Sequence, residues 1–491
     1  MNIGILTQES APKVKMIAKS EDSFQKKTLI MPIVSAAVMV TCSRLPLAAY
    51  GEKTGLALGV FISLILCYLV QPWDMVLSTL MVPVAGYFLG FWDWSVIQTS
   101  TGTSSFVSMF ALSVVSAGAA TTPLGRRIAL IFLRKFHDKP LRMVFAVSIV
   151  SAALSAFISN TAVIIMMSGI VNGLLITMDE KPGESKIGRV MMVLIVTASY
   201  VGGMALINGC SASALLGIGM LESATDGQFT ITYRQFAAIG VPGVLLTIVP
   251  VCLLYIKGMG LKSSDFTNLP SREYYQSLYD ELGPVQGCEI RWALLTIFMV
   301  VWLFLGGHST AVPLVCAIIT LLPIVGTVPV NKMFDYVPMK ILFIILFAGT
   351  IGSLLTTTGL SALFTAHLSP LFEGLSPYVF ILVVCLVMSI LENICVTVNT
   401  IYVLVMTLVT PICISMGYNP SLMMLPVLML HCTFFVLRLN ATVLVNKHYG
   451  WWETKDGVLP GIVSVLILCI VFPALTLLIG PAIGMPLYIG A

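Results

Sequence analysis

The residues best suited to chemistry in this sequence are polar side chains that interrupt long apolar stretches. The first group lies in SAFISNTAV, residues 155–163, where Ser155, Ser159 and Asn160 supply oxygen atoms. Such oxygens, together with backbone carbonyls, suit a hard cation such as sodium. A helix that begins after Asn160 would also point its positive end at a bound anion. The alternative is that these side chains only hold helices together through hydrogen bonds.

A second group combines VNTI, residues 398–401, with Arg438 in TFFVLRLNAT, residues 433–442. A charged side chain inside an apolar segment is costly unless it is paired, so Arg438 is a candidate functional residue. Its guanidinium could replace a second cation and bind a substrate carboxylate, for which its fork geometry is suited. Two alternatives stay open: an ion pair with Glu392, or a position near the inner end of the span from which the side chain reaches water.

Motifs of enzymes and ATP-driven pumps are missing from the sequence. The five histidines form no HExxH pair, and there is no GxxxxGK[ST] phosphate-binding loop. The eleven cysteines form no CxxC pair, and most lie within apolar runs, where cysteine packs as a small buried side chain. We therefore predict a protein that is not an enzyme, with no catalytic residues and no cofactor beyond a possible coupling sodium ion.

Composition defines the environment of these groups. Of the 491 residues, 58% are hydrophobic and only 10% are charged, whereas a soluble protein has about 25% charged residues. This excludes a cytosolic enzyme, a secreted domain and a disordered chain. We predict an all-α polytopic protein of the cell membrane, whose partners are the lipid bilayer and a small anion, and not nucleic acid.

A helix needs about 20 apolar residues to cross a bilayer. Two apolar stretches, 143–178 and 378–416, are interrupted at mid-length by the polar residues described above and are predicted to form re-entrant hairpins. The remaining apolar stretches predict eleven transmembrane helices: 28–44, 54–70, 76–92, 105–123, 190–221, 236–256, 292–307, 310–328, 341–361, 421–445 and 458–480.

The distribution of basic residues predicts the orientation. A cytoplasmic tail (1–27), the basic loop 126–142 and a cytoplasmic linker (257–291) hold most of the lysines and arginines, as expected for inside loops. The C-terminus is then external. The linker separates an N-terminal half (28–256) from a C-terminal half (292–491), and each half contains one hairpin.

The two halves resemble each other. TTPLGRRIALIFL (121–133) precedes the stretch with SNTA, and TTTGLSALFTAHL (356–368) precedes the stretch with VNTI. Since the first hairpin opens inward and the second outward, the repeat is inverted. Inverted repeats with broken helices at mid-membrane are typical of secondary transporters, which bind substrate where the repeats meet.

The motifs also resemble a known family, the divalent anion:sodium symporters of the ion transporter superfamily. GRRIALIFL, LSAFISNTAVIIMM, GGMALINGCSASAL and ITYRQFAAIGVPGVLL follow the order of that family over 105–256, and 341–480 resembles it more weakly. The resemblance implies scaffold and transport domains, an elevator motion and a homodimer. It also implies site residues. Asn160 and Thr161 would contact a substrate carboxylate, with Asn399 and Thr400 as partners from the second hairpin. Ser155, Ser159, Asn160 and the carbonyl of Gly209 would hold one sodium ion.

The sequence departs from the family in its second half. Val398 replaces the serine of the usual Ser-Asn-Thr tip, and Ile394 stands where a sodium-binding hydroxyl is expected. The first cation site is therefore intact and the second degraded. We predict a secondary active transporter of di- or tricarboxylates, driven by sodium or by anion exchange. The alternatives are a transporter of another ion of the superfamily (arsenite, or sodium for protons) and, with less support, an intramembrane enzyme.

Overall fold

The computed structural model describes residues 21–101, 103–266, 268–394, 398–430, 433–438 and 440–490, without the side chains of 21–26, 100, 398–400 and 441. Within these residues the elements are helices joined by turns and loops. The only β pairing in this part is an isolated antiparallel bridge between Tyr418 and Tyr488. The all-α prediction is confirmed.

The helices of the N-terminal half and the linker are α1 (Glu21–Ser43), α2 (Thr54–Val70), α3 (Met75–Phe88), α4 (Trp94–Ser100), α5 (Ser104–Ala120), α6 (Leu124–Lys135), α7 (Pro140–Phe157), α8 (Asn160–Thr177), α9 (Lys186–Gly203), α10 (Ser211–Ala224), α11 (Tyr233–Gly258) and α12 (Arg272–Asp280). The helices of the C-terminal half are α13 (Gly287–Phe304), α14 (Ala311–Leu321), α15 (Met333–Tyr336), α16 (Met339–Thr357), α17 (Leu360–Leu368), α18 (Pro377–Ile394), α19 (Val398–Ser415), α20 (Pro420–Met429), α21 (Ala441–Lys447) and α22 (Val458–Ile479).

Hydropathy and length place the chain in a membrane. Among the described residues, nine helical segments are long and apolar enough to cross a bilayer, and seven shorter apolar helices accompany them. Large apolar side chains such as Leu246, Ile297 and Leu478 point outward and are exposed. Exposed apolar surface of this extent is stable in lipid and not in water. The chain is therefore a multi-pass membrane protein.

The repeat seen in the sequence is visible in the order of helices. In each half a long helix is followed by a short one, a helical hairpin, a broken helix pair and a final long helix, over α5–α11 and α16–α22. Both hairpins consist of two 18-residue arms, and the first arm of each begins at a proline, Pro140 and Pro377. Proline suits the first turn of a helix because its missing N–H would be unpaired there.

Two predicted transmembrane helices are each divided in the structure. The stretch 190–221 contains the end of α9 at Gly203 and the start of α10 at Ser211, and 421–445 contains the end of α20 and the start of α21. Apolar content alone could not show these breaks. The seven-residue α21 starts where Asn440 accepts a hydrogen bond from the N–H of Thr442 at 2.9 Å, which is an N-cap.

The basic segment 126–142 also differs from the loop that was predicted. Most of it is helical, in α6 and at the start of α7. Arg127 of α6 is buried and forms an ion pair with Glu289 of α13 at 3.0 Å, and its guanidinium lies 4.9 Å from the ring centre of Tyr279. The contact joins the first half to the linker and the second half. The predicted tail 1–27 likewise includes helix from Glu21 onward, and residues 1–20 lie outside the described part.

Candidate functional site

The first hairpin turns at Ile158 and Ser159, whose backbone is extended between α7 and α8. This break lies within the SAFISNTAV segment, as predicted. Ser155, in the last turn of α7, and Asn160, the first residue of α8, are both buried, and their side chains are 2.5 Å apart. The hairpin tip is therefore a polar cluster inside an apolar protein.

Carbonyl groups of the broken α9–α10 span complete this cluster. The position of the Asn160 Oδ1 atom lies 2.5 Å from Ser155 Oγ, 3.0 Å from the Gly209 carbonyl oxygen and 3.3 Å from the Ser199 carbonyl oxygen. Oxygens that face one another need a donor or a cation between them. Either the Asn160 amide turns its NH₂ group to these acceptors, or its oxygen stays and a cation joins the four oxygens.

Three glycines allow the broken span to approach the hairpin tip. A Cβ atom on Gly203 would lie 2.1 Å from Asn160 Oδ1, and one on Gly209 would lie 2.1 Å from the Ser155 carbonyl oxygen. A Cβ on Gly202 would lie 2.1 Å from the carbonyl oxygen of Ala152. Any side chain at these positions would push the two elements apart, so glycine is required for this contact.

A cavity of about 740 Å³ lies beside the cluster. It is lined from the first half by Ser159, Asn160 and Thr161, and from the second half by Asn440 and Thr442. The Oγ1 atoms of Thr161 and Thr442 are 3.1 Å apart. The two halves of the repeat therefore meet at the cavity, where the inverted repeat predicted a binding site.

The electrostatics of this cavity come from helix ends. Helices α8 and α10 both begin at its wall, and neither start is capped by a side chain in the described part of the chain. Their first backbone N–H groups carry partial positive charge and favour an anion. Among the described lining residues the only charged side chain is Asp335, so no basic residue contributes.

The second hairpin is described only in part. Asn399 and Thr400 lie in the first turn of α19, and their side chains are outside the described residues. Their predicted contacts with substrate stay predictions. The last turn of the adjacent arm contains Glu392 and Asn393, which bind the irregular segment 433–438. The Asn393 Oδ1 atom accepts hydrogen bonds from the N–H groups of Val436 (3.1 Å) and Leu437 (3.2 Å).

Arg438 lies elsewhere than in the cavity. Its side chain is buried, at 1% exposure, and its guanidinium donates hydrogen bonds to the carbonyls of Asp456 and Gly457 and to the Tyr255 hydroxyl. Arg438 is not among the described residues that line the cavity, and it forms no ion pair with Glu392. Its backbone is in the left-handed region, with φ of +53°. In this conformation Arg438 holds segment 433–438 against the loop before α22.

Three further residues at the cavity were not singled out from the sequence: Tyr200, Asn440 and Thr442. The Tyr200 hydroxyl donates to Asn440 Oδ1 at 3.4 Å. Asn440 and Thr442 occur in LNAT, and the available signal was a run of polar side chains within an apolar stretch. Tyr200 lies in an apolar helix, and only its position in space distinguishes it.

Comparison with known proteins identifies the family. Residues 26–489 match the family described as the sodium:sulfate symporter transmembrane region. The chain belongs to this family. It is a family of transporters and not of enzymes, as the sequence predicted.

Two curated relatives are similar over part of their length. The chain is 25% identical over 335 residues to a sodium-dependent dicarboxylate transporter, SdcS, of Staphylococcus saprophyticus, covering 62% of this chain and 63% of that protein. It is 21% identical over 252 residues to the sodium-dependent high-affinity dicarboxylate transporter 2 of Caenorhabditis elegans, covering 43% and 45%. The chain thus matches less than two thirds of the length of either relative.

A solved structure has the same overall fold. The YdaH transporter of Alcanivorax borkumensis matches with a TM-score of 0.54 and 12% identity, over 95% of this chain and 99% of that one. At this identity the likeness concerns the fold alone.

Proposed function

We propose that this protein is a secondary active transporter of small organic dianions, with dicarboxylates as the substrate class. The observation that supports it most directly is that the two halves meet at one cavity at the hairpin tip, to which Asn160, Thr161 and Asn440 contribute polar side chains. Its volume, about 740 Å³, is within the range of about 300–1,000 Å³ of small-molecule sites. The starts of α8 and α10 would attract carboxylates, with Asn160 and Thr161 as the contacting side chains.

Sodium is the proposed coupling ion at the hairpin tip. The Ser155 hydroxyl and the carbonyl oxygens of Ser199 and Gly209 surround the Asn160 amide, with no acidic side chain among them. Neutral oxygens from side chains and backbone are suitable ligands for a monovalent hard cation. Because Asn160 belongs both to this cluster and to the cavity wall, a bound ion would order the wall that meets the substrate, which is a direct basis for coupling.

The transport cycle is proposed to follow an elevator motion in a homodimer. The cavity is lined by Asp335, Tyr336 and Pro338, which lie between the predicted spans 310–328 and 341–361 on the cytoplasmic side. With a cytoplasmic N-terminus and an external C-terminus, this cavity would open to the cytoplasm. The hairpins and broken helices would then move as the transport domain against the remaining helices.

Thermal unfolding of the purified protein tests the substrate and the ion together. Succinate, malate, citrate and sulfate are each added in sodium chloride and in potassium chloride. A ligand of the folded state stabilises it by RT ln(1 + [L]/Kd), or about 2.7 kcal/mol at a hundred times Kd. We expect succinate or malate to raise the unfolding temperature more in sodium than in potassium. No shift with any of the four anions in either salt would refute the proposal.

Counterflow in proteoliposomes then separates symport from exchange. Vesicles preloaded with unlabelled succinate take up labelled succinate in both cases. Net uptake into empty vesicles requires an ion gradient that favours the loaded, mobile state. We expect net uptake with an inward sodium gradient. Counterflow without net uptake would instead identify an anion exchanger.

A further inference from the structure

A buried acidic side chain lies at the second broken helix, away from the cluster at the first hairpin. Glu392 is 0% exposed. Its Oε2 atom accepts hydrogen bonds from the backbone N–H of Thr433 at 3.1 Å and from its hydroxyl at 2.9 Å. Its Oε1 atom is buried and has no hydrogen-bond partner among the described residues. Within the described part of the chain, one of the two carboxyl oxygens is therefore unsatisfied.

The described surroundings of Glu392 supply no positive charge. Helix α18 packs against α19, α20 and α22. The titratable groups on these helices are Tyr402, Cys413 and Cys469, and α20 has none. Arg438 directs its guanidinium to the carbonyls of Asp456 and Gly457. His431 and Cys432, which precede Thr433, lie outside the described residues.

A carboxylate in this environment is unfavourable. Burial of an unpaired charge costs several kcal/mol even after relaxation of the protein, and more within a membrane. A proton on Oε1 removes the charge and converts this oxygen into a neutral hydroxyl donor, whose burial costs less than that of a charge. A sodium ion needs several free oxygens, yet the Asn393 Oδ1 and Thr433 carbonyl oxygens beside Glu392 already accept hydrogen bonds. The geometry favours a proton.

The position of Glu392 in its helix links it to ion coupling. It is the third residue from the end of α18, as Ser155 is in α7, and both arms have 18 residues. Each residue lies against the broken helix of its own half: the Ser155 carbonyl oxygen lies beside Gly209, and the Glu392 carboxyl group binds Thr433. The first hairpin presents neutral oxygens at this place, and the second presents an acid.

We propose that Glu392 is a proton-binding site that takes the place of a second cation site, so that transport is coupled to protons as well as sodium. The proposal rests on the proposed function for its role in transport. When Glu392 is protonated, the contact between α18 and segment 433–438 would contain no charge. When the proton leaves, this contact would contain a buried negative charge. The proton would come from bulk water on the side where substrate enters and leave on the other side.

Succinate accumulation in proteoliposomes tests the coupling. The sodium gradient and the membrane potential are held constant, and the interior is made one pH unit more alkaline than the exterior. One coupled proton raises the steady-state accumulation ratio by about tenfold. We expect this rise in the wild type and in Glu392→Asp, and none in Glu392→Gln, which keeps sodium-dependent counterflow. Glu222→Gln is the matched control, because Glu222 is a partly buried carboxyl hydrogen-bonded to Thr230 at 2.6 Å.

The outcomes separate this proposal from the proposed function. A wild type that accumulates succinate with sodium but ignores the pH gradient, or a Glu392→Gln variant that responds like the wild type, overturns the proton site. If no variant transports succinate, the proposed function has failed, and unfolding temperature measured from about pH 6 to pH 9 still tests the proton site. If the folded protein keeps a proton that the unfolded chain releases, the free energy of unfolding falls as pH rises. We expect that loss of stability to be smaller in Glu392→Gln than in the wild type; equal losses overturn the proposal.

Discussion

The side chain of Asn160 fills the space that a Cβ atom on Gly203 would need, since such an atom would lie only 2.1 Å from Asn160 Oδ1. The tip of the first hairpin and the end of α9 thus fit together only because residue 203 has no side chain. This packing sets the position of Asn160 in both the proposed ion cluster and the cavity wall.

Gly203→Ala is expected to displace Asn160 and weaken sodium-dependent stabilisation. Overpacking of this kind costs about 1–3 kcal/mol. Unfolding temperature with and without sodium measures both effects. Gly173→Ala is the matched control: it also lies in a helix at the hairpin, and its Cβ would meet nothing within 4 Å. An unaffected sodium response in Gly203→Ala would contradict the proposed ion cluster.

Ser155→Ala is expected to lower the apparent sodium affinity by about tenfold, because it removes one of the converging oxygens. Sodium titrations of thermal stability or of succinate uptake provide the measurement. Ser151→Ala serves as the control, since Ser151 lies one turn earlier in α7 and its hydroxyl donates to the Val147 carbonyl of the same helix. Equal effects of the two substitutions would argue for helix packing alone.

Thr161 and Thr442 are expected to be coupled energetically across the two halves. A hydrogen bond such as the one at 3.1 Å contributes about 0.5–1.5 kcal/mol. The double-mutant cycle of Thr161→Val and Thr442→Val on unfolding free energy isolates that contribution. Strict additivity would mean that the contact does not persist in the membrane.

Arg438→Lys is expected to lower thermal stability while succinate affinity changes little. The guanidinium bonds two carbonyls and lies 5.3 Å from the ring centre of Trp452, and an ammonium group cannot reproduce this geometry. Succinate titration at a temperature where both proteins are folded separates the two effects. A large loss of affinity with unchanged stability would instead support the substrate-binding role predicted from the sequence.

Glu289→Gln is expected to destabilise the protein by about 3 kcal/mol, because it leaves Arg127 buried without its partner. The double variant Arg127→Met, Glu289→Leu should recover part of that loss. Unfolding temperature in the absence of ligands is the measurement. The exposed pair of Lys340 and Asp74 is the comparison, and Asp74→Asn should change stability by less than about 1 kcal/mol.

The sequence alone predicted the membrane class, the hairpin break within residues 155–163, and the relation between the two halves. These features depend on composition, on polar residues within apolar runs and on repeated motifs, all of which are short-range properties.

Tertiary structure decided the rest. The four oxygens of the proposed ion cluster come from residues 155, 160, 199 and 209, and their proximity depends on the close approach of two helix pairs that glycine permits. The guanidinium of Arg438 is chemically suited to bind a substrate carboxylate. In the structure, however, it binds backbone carbonyls of a loop about 18 residues further along the chain. Hydropathy and charge define which residues are unusual, whereas their partners are defined by long-range packing, which no local pattern encodes.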